Sequence, residues 1–314
     1  MRRLALVLLA GLFLAGPLWA GSFRTNDISA TAKWTAHLDV DQIVNSQLGR
    51  MVINEILKEE GLNEKRAAFK SMFGFDPLED VRSITVWGRG FQEKEGVALF
   101  KGNFNQEKLL VLVEANGFYA KQAYRTYEIH EWEDNGKTQY GTFYGGDMVI
   151  IGNKPGIVEL ALDVLDAQQP TLGGGGALKG LDVLPGGAWF VGSVVDFGEA
   201  AGQNPQAALL KTGQQITIVA GESSGVVYAE GTLKTKDNES AQQVHQVLQG
   251  ILAFGMLMRE KVPIVADLAQ AAQLNVNGPV VKIRGEMASE QLFNLLKKAH
   301  QMEQQKKQNQ PEGS

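Results

Sequence analysis

Residues 33–44, KWTAHLDVDQIV, place one imidazole and two carboxylates at alternate positions. On an extended strand alternate side chains share a face, so His37, Asp39 and Asp41 fall on one side and Trp34, Ala36, Leu38 and Val40 on the other. Imidazole and carboxylate are suitable metal ligands, and neighbours at i and i+2 on a strand stand close enough to reach one ion. A further histidine, His130, alternates with Glu128 and Trp132 in YRTYEIHEW. Carboxylate and imidazole can share a proton there, which makes His130 a candidate general base. Converging, His37, Asp39 and His130 would make a metal-dependent hydrolase. The plainer reading gives Asp41 a scaffolding task. It precedes apolar residues at Val44, Leu48, Met51, Val52 and Ile56, a helical spacing whose first turn an aspartate would cap. Asp196 ends a comparable strand, GAWFVGSVVDF, with Val194 and Gly192 in place of the other two groups.

Other constellations are incomplete. The chain has no cysteine, hence no thiol nucleophile, disulfide or thiolate metal site. GESSG, residues 221–225, is one residue too long for a nucleophile elbow, and WGRGF lacks the third glycine and helix of a dinucleotide fingerprint. GGGGALKG lacks the Gly-Lys-Ser/Thr ending of a phosphate loop. Glu131, Glu133 and Asp134 read as a solvated run beside a turn, and His245 and His300 as solvated helix residues. No cofactor is expected, and the balance favours a non-enzymatic protein.

The elements that would position these residues follow a leader. MRRLALVLLAGLFLAGPLWAGS has a basic start at Arg2 and Arg3, an apolar run from Leu4 to Ala15, a break at Pro17 and small residues at the end. That is the layout of a signal peptide over residues 1–22, and the apolar run is short of the ~20 residues of a membrane span. The expected address is therefore exported, periplasmic or extracellular. Without cysteine there is no lipid anchor, and no transmembrane segment is expected in the mature chain. With 30 basic and 35 acidic residues the balance is acidic, which argues against nucleic acid as a partner.

Across 314 residues the pattern divides in two. The first α+β unit, 23–168, contains strands at VRSITVWG and GVALFKGNF and a helix at NQEKLLVLVEANG capped by Asn105. A hairpin turns at Asn135-Gly136, and a strand at DMVIIGN leads into a helix capped by Asn153. Residues 169–187 are rich in glycine and proline and read as a linker. The second unit, 188–303, repeats the order, with a helix capped by Asn238 and PVVKIRGEMASEQLFNLLKKAH matching DMVIIGNKPGIVELALDVL. The tail, 304–314, has almost no apolar residues and is expected to be disordered. The expected fold is α+β: two tandem related units, each a mostly antiparallel sheet with helices packed on one face. The run GILAFGMLM, residues 250–258, reads as a buried core helix, with a partner surface as the rival.

The stretches AHLDVDQIVNSQLGRMV, ALFKGNF and VIIGNKPGIVELALDVL resemble a pattern in uncharacterised exported bacterial proteins with tandem α+β units. The resemblance implies export and architecture and no activity. Together these readings point to a binding or interaction module of the cell envelope, with a protein or other envelope component as partner and an oligomeric state left open. The candidate surface is the hairpin carrying Tyr127, Trp132, Tyr140 and Tyr144, since exposed aromatics give contact area at low entropic cost. The alternatives are the hydrolase built on His37 and Asp39, and a two-lobe receptor closing on a small ligand across the glycine-rich break.

Overall fold

The computed structural model describes residues 23–308 apart from 60, 92–95, 116, 198–212 and 261, with the backbone alone for 303–308. The expected leader lies outside the described residues. Twelve strands form one antiparallel sheet: β1 (Trp34–Asp39), β2 (Val81–Gly88), β3 (Gly96–Gly102), β4 (Tyr119–Tyr124), β5 (Tyr127–Asp134), β6 (Lys137–Tyr144), β7 (Met148–Gly152), β8 (Ala188–Val195), β9 (Gly213–Ser223), β10 (Val226–Thr235), β11 (Ala272–Asn277) and β12 (Val280–Ala288). Their order is β11-β12-β10-β9-β8-β1-β2-β3-β7-β6-β5-β4. The helices are α1 (Val40–Asn45), α2 (Gln47–Ile56), α3 (Leu62–Phe73), α4 (Gln106–Glu114), α5 (Pro155–Leu165), α6 (Asn238–Leu257), α7 (Pro263–Ala271) and α8 (Ser289–Gln308). The protein is α+β, as the pattern of strands and helices predicts.

The middle of the sheet joins the two halves of the chain. β1 pairs with β8 from Trp34↔Val194 to Leu38↔Phe190. Outward from this seam the order runs β1-β2-β3-β7-β6 on one side and β8-β9-β10-β12-β11 on the other, with β5 and β4 added to the first. Each side visits its strands in the same chain order. One sheet face, carrying His37, Thr85, Leu99, Ile150 and Val191, holds the main core together with Trp87, Ile28 and the α5 residues Ile157, Val158 and Leu162. On the other face α1 packs Val40 and Val44 against Val81, and α6 packs Ala241 and Val244 against Val281. The first half is thus covered on both sides.

Residues 169–187 are corrected from a linker to part of the core. Leu172, Leu178 and Leu181 are buried in it, and Ser29 bridges to Thr171 in a two-residue ladder. Leu172 N–H donates to Ile28 O at 2.7 Å, and Ala30 N–H to Pro170 O at 2.9 Å. The buried Gln215 clamps the segment from both sides: its amide donates to Lys179 O at 2.8 Å, and its carbonyl accepts from Lys179 N–H at 3.2 Å. The glycines here serve close approach rather than freedom, since a Cβ on Gly176 would lie 2.8 Å from Ala30 O. The expected disordered tail is also shortened, because α8 continues through Gln308; residues 309–314 lie outside the described residues.

Local chemistry explains most helix starts, with three caps shifted by a residue or two. Asn105 caps α4 as expected, accepting from Lys108 N–H at 2.9 Å. Asp237, not Asn238, caps α6 by accepting from Ser240 N–H. α5 starts at Pro155 after Lys154 without a side-chain cap, so the expected Asn153 cap is not used. The Asn135-Gly136 turn forms with φ of 51° and 74°, and Asp134 pairs with Lys137 as the hairpin signal requires.

One cap comes from across the seam. The carboxylate of Glu222, at the end of β9, accepts from the N–H groups of Gln47 and Leu48 at 2.7 and 2.8 Å, beside Ser46 Oγ on Gly49 N–H. A carboxylate at a helix N-terminus satisfies orphan donors and complements the dipole. The Glu222→Ala variant is expected to lose about 1–2 kcal/mol in urea unfolding. An unchanged midpoint would show that Ser46 alone suffices.

Candidate functional site

The alternation read in KWTAHLDVDQIV is real on β1, where Thr35, His37 and Asp39 are buried in turn. Asp41 does not join them. β1 ends at Asp39 and α1 begins at Val40, so Asp41 sits in the first helical turn. The cap is Asp39, whose Oδ1 accepts from Gln42 N–H at 2.9 Å, and the assignment of capping to Asp41 is corrected accordingly. The Asp39 carboxyl is raised to about 6 as the balance of three effects: burial pushes it up most, the Gln42 N–H pulls it down, and the nearby Asp41 adds a smaller upward push. His37 Nδ1 shares a hydrogen bond with Thr85 Oγ1 at 2.8 Å, and its ring meets Phe23 edge-on at 5.3 Å. Asp196, the expected counterpart of Asp41 just after β8, adopts φ 55° and pairs with Lys33 at 3.2 Å.

His130 does not converge with this pair. It lies five strands from β1, roughly 24 Å at the usual strand spacing. It also lies on the opposite face, in line with Gly141, Ile151, Ala98, Val86 and Ala36. There Tyr119 Oη and His130 Nδ1 share a hydrogen bond of 2.9 Å, and burial holds the imidazole below its ordinary range. The three-residue centre suggested by residue types is therefore not assembled. Among the described residues no group of three or more histidine, aspartate or glutamate side chains is placed to hold a metal ion.

The hairpin aromatics are half-buried rather than free, which corrects their reading as an exposed surface. Tyr127 donates to Asp166 at 2.9 Å and Tyr144 to Leu165 O at 3.1 Å, both stacking beneath α5 with ring centroids 5.9 Å apart. Burial, then the Asp166 carboxylate, pushes the Tyr127 phenol up to about 12. Tyr140 donates to Glu131 at 3.2 Å. Trp132 covers Gly141, where a Cβ would lie 2.9 Å from its ring. These four rings fasten the hairpin to the sheet and α5.

The exposed apolar surface lies elsewhere, on α6 and α7. The run 250–258 is mostly outside the core, against expectation: Ile251 is 59% exposed, Phe254 63% and Leu257 81%. Val247, Ile251 and Phe254 recur at helical spacing, and Val265 and Leu268 of α7 are also exposed. What α6 and α7 bury against each other is small. Gly255, Ala266 and Ala269 are buried, and a Cβ on Gly255 would lie 3.0 Å from Ala269. From the connection between the two helices Arg259 donates to Asp267 at 3.2 Å and to Gln270 at 2.7 Å on α7. Small residues inside and large apolar residues outside invert the usual helical hairpin. The sequence signal was present at Gly255, a gap in a run of mostly large apolar side chains, which lets α7 approach α6 closely there.

These features define an α+β protein with a single twelve-stranded antiparallel sheet and an apolar helical hairpin on its flank. No family model matches the chain, and no curated protein matches it. Among solved structures it is similar to a protein called TP0453. Crystal form III aligns with TM-score 0.45 and 9% identity over 88% of this chain and 98% of that one. Crystal form IV aligns with TM-score 0.47 and 9% identity over 87% and 96%.

Proposed function

We propose that this chain is an exported, non-enzymatic binding module of the cell envelope, built from two related units in tandem, which docks a partner through the outer face of α6 and α7. The inverted hairpin carries the reading. Fully burying one Val, Leu, Ile or Phe side chain is favourable by about 1.5–3 kcal/mol, and this hairpin leaves at least five such side chains substantially in water. An extended exposed apolar face marks an interaction site rather than a free surface. Export rests on the leader-like first 22 residues. The tandem reading rests on the matched strand order to either side of the β1–β8 seam and on the repeated sequence pattern.

The test replaces Ile251, Phe254 and Leu257 together by glutamine, a helix former that keeps α6 intact. Because these side chains are exposed, unfolding stability is expected to change by no more than about 0.5 kcal/mol per site. Capture of the native partner from envelope extracts is expected to fall at least tenfold. Equal capture by the parent and the triple variant sinks the assignment of this face.

A further inference from the structure

A second feature stands apart from the hairpin: a cavity of about 250 Å³ where β1 ends and β8 begins. Its floor is His37 and Asp39, and its roof is the packed segment from Leu181 to Gly187, with Asp182 among the lining residues. Phe23, Leu184 and Trp189 supply apolar and aromatic wall. Asp39 is only 3% exposed, and its one shown partner is the Gln42 N–H on Oδ1. Asp182 accepts from Thr25 Oγ1 at 3.3 Å. Among the described residues lining the cavity there is no lysine and no arginine.

We propose that this cavity is a binding site for a small organic cation, an ammonium group on a compact apolar body, with Asp39 as its counter-charge. Asp39 is buried with no lysine or arginine among the lining residues, and Asp182 at the exposed rim adds a second negative charge, which makes the cavity attractive to positive charge. A buried carboxylate is costly unless it is paired, and a cationic guest would remove that cost. Aromatic rings at the wall add attraction for an ammonium through their faces and cover an apolar body. The imidazole of His37 is engaged with Thr85, so the floor offers one strong anionic acceptor. The roof is held by Gln215 and by the Glu222 N–H to Gly187 O bond of 3.0 Å, so the site is preformed.

The electrostatics of Asp39 support this reading. Its carboxyl is raised by burial and by Asp41 on α1, and no cation contributes to its environment. The other titratable groups around it are His37 on β1 and Asp182 in the roof. A bound ammonium favours the ionised carboxylate, so affinity should weaken as pH falls through about 6.

Isothermal titration of the mature chain at pH 7.5 with 2-phenylethylammonium, n-butylammonium and tetramethylammonium tests it, with 2-phenylethanol and phenylacetate as neutral and anionic comparators. At least one cation is expected to bind one-to-one with Kd below about 1 mM, the alcohol at least tenfold more weakly and phenylacetate not at all. Asp39→Asn keeps a capping side chain on α1 while removing the charge, and is expected to weaken the cation at least tenfold without affecting the alcohol. Asp182→Asn is expected to weaken it less. The proposal is overturned if all three cations fail to reach 1 mM affinity, if alcohol and ammonium bind equally, or if Asp39→Asn leaves cation affinity unchanged.

Discussion

The Asp39→Asn variant is expected to be more stable than the parent above pH 6, by about 2 kcal/mol. The carboxyl sits at about 6 in the folded chain, against an ordinary value near 3.8. A raised carboxyl binds its proton more tightly when folded. Its contribution to stability is therefore complete below about pH 4 and is lost as pH rises through 6. Two units of difference correspond to about 3 kcal/mol, from which the weaker dipole interaction of a neutral cap subtracts a few tenths or more. Because the side chain is 3% exposed, solvent screening does not erase the effect. The parent's urea-unfolding free energy should fall between pH 4 and 6 by this amount relative to the variant. Parallel pH profiles would show that Asp39 ionises freely in the folded protein. Excess of a bound cation would flatten the difference, which ties this measurement to the cavity.

Gly187→Ala is expected to destabilise the protein by about 3 kcal/mol or more. Two independent costs meet at this residue. Its φ of 74° lies in the left-handed region, which costs an ordinary residue roughly 1–2 kcal/mol, and the added methyl would run into the Glu222 carbonyl. Gly186 next to it supplies the control, because a Cβ there meets nothing within 4 Å and its φ is not positive. Thermal unfolding of both variants separates the readings. A flexible connector would tolerate both substitutions, whereas the packed segment tolerates only that at Gly186. Equal, small shifts would remove Gly187 from any role in fixing the roof.

How far the sequence discloses this architecture depends on how local the deciding interaction is. The Asn135-Gly136 hairpin, the Asn105 cap and the strand into α5 are set by neighbours in the chain, and they were legible. α3 carries mainly charged and small residues, its apolar side chains being Leu62, Phe69, Met72 and Phe73, and gives little periodic signal. β4, YAKQAY, is an edge strand with three exposed positions in its middle and shows no clear alternation. The misread features are those decided at long range. Glycines 173–176 look like freedom until Asn26 and Ala30 close over them. His37 and His130 look like partners until pairing puts them on opposite faces. The run 250–258 looks like core because hydrophobicity records what a residue would bury, and not whether this chain provides anything to bury it against. Of the candidate site, the two floor residues were visible in the first strand, while the roof that makes a cavity over them lies some 150 positions later.

The seam between β1 and β8 imposes an order on assembly. Until residues 188–195 have emerged, the first strand has one bonded edge and one bare one, and its buried histidine and aspartate have no lid. A nascent first half is therefore an open template, able to add a strand from any chain nearby, including another copy of itself. Delivery of the chain in an unfolded state, with both halves arriving before either closes, would spare it that hazard.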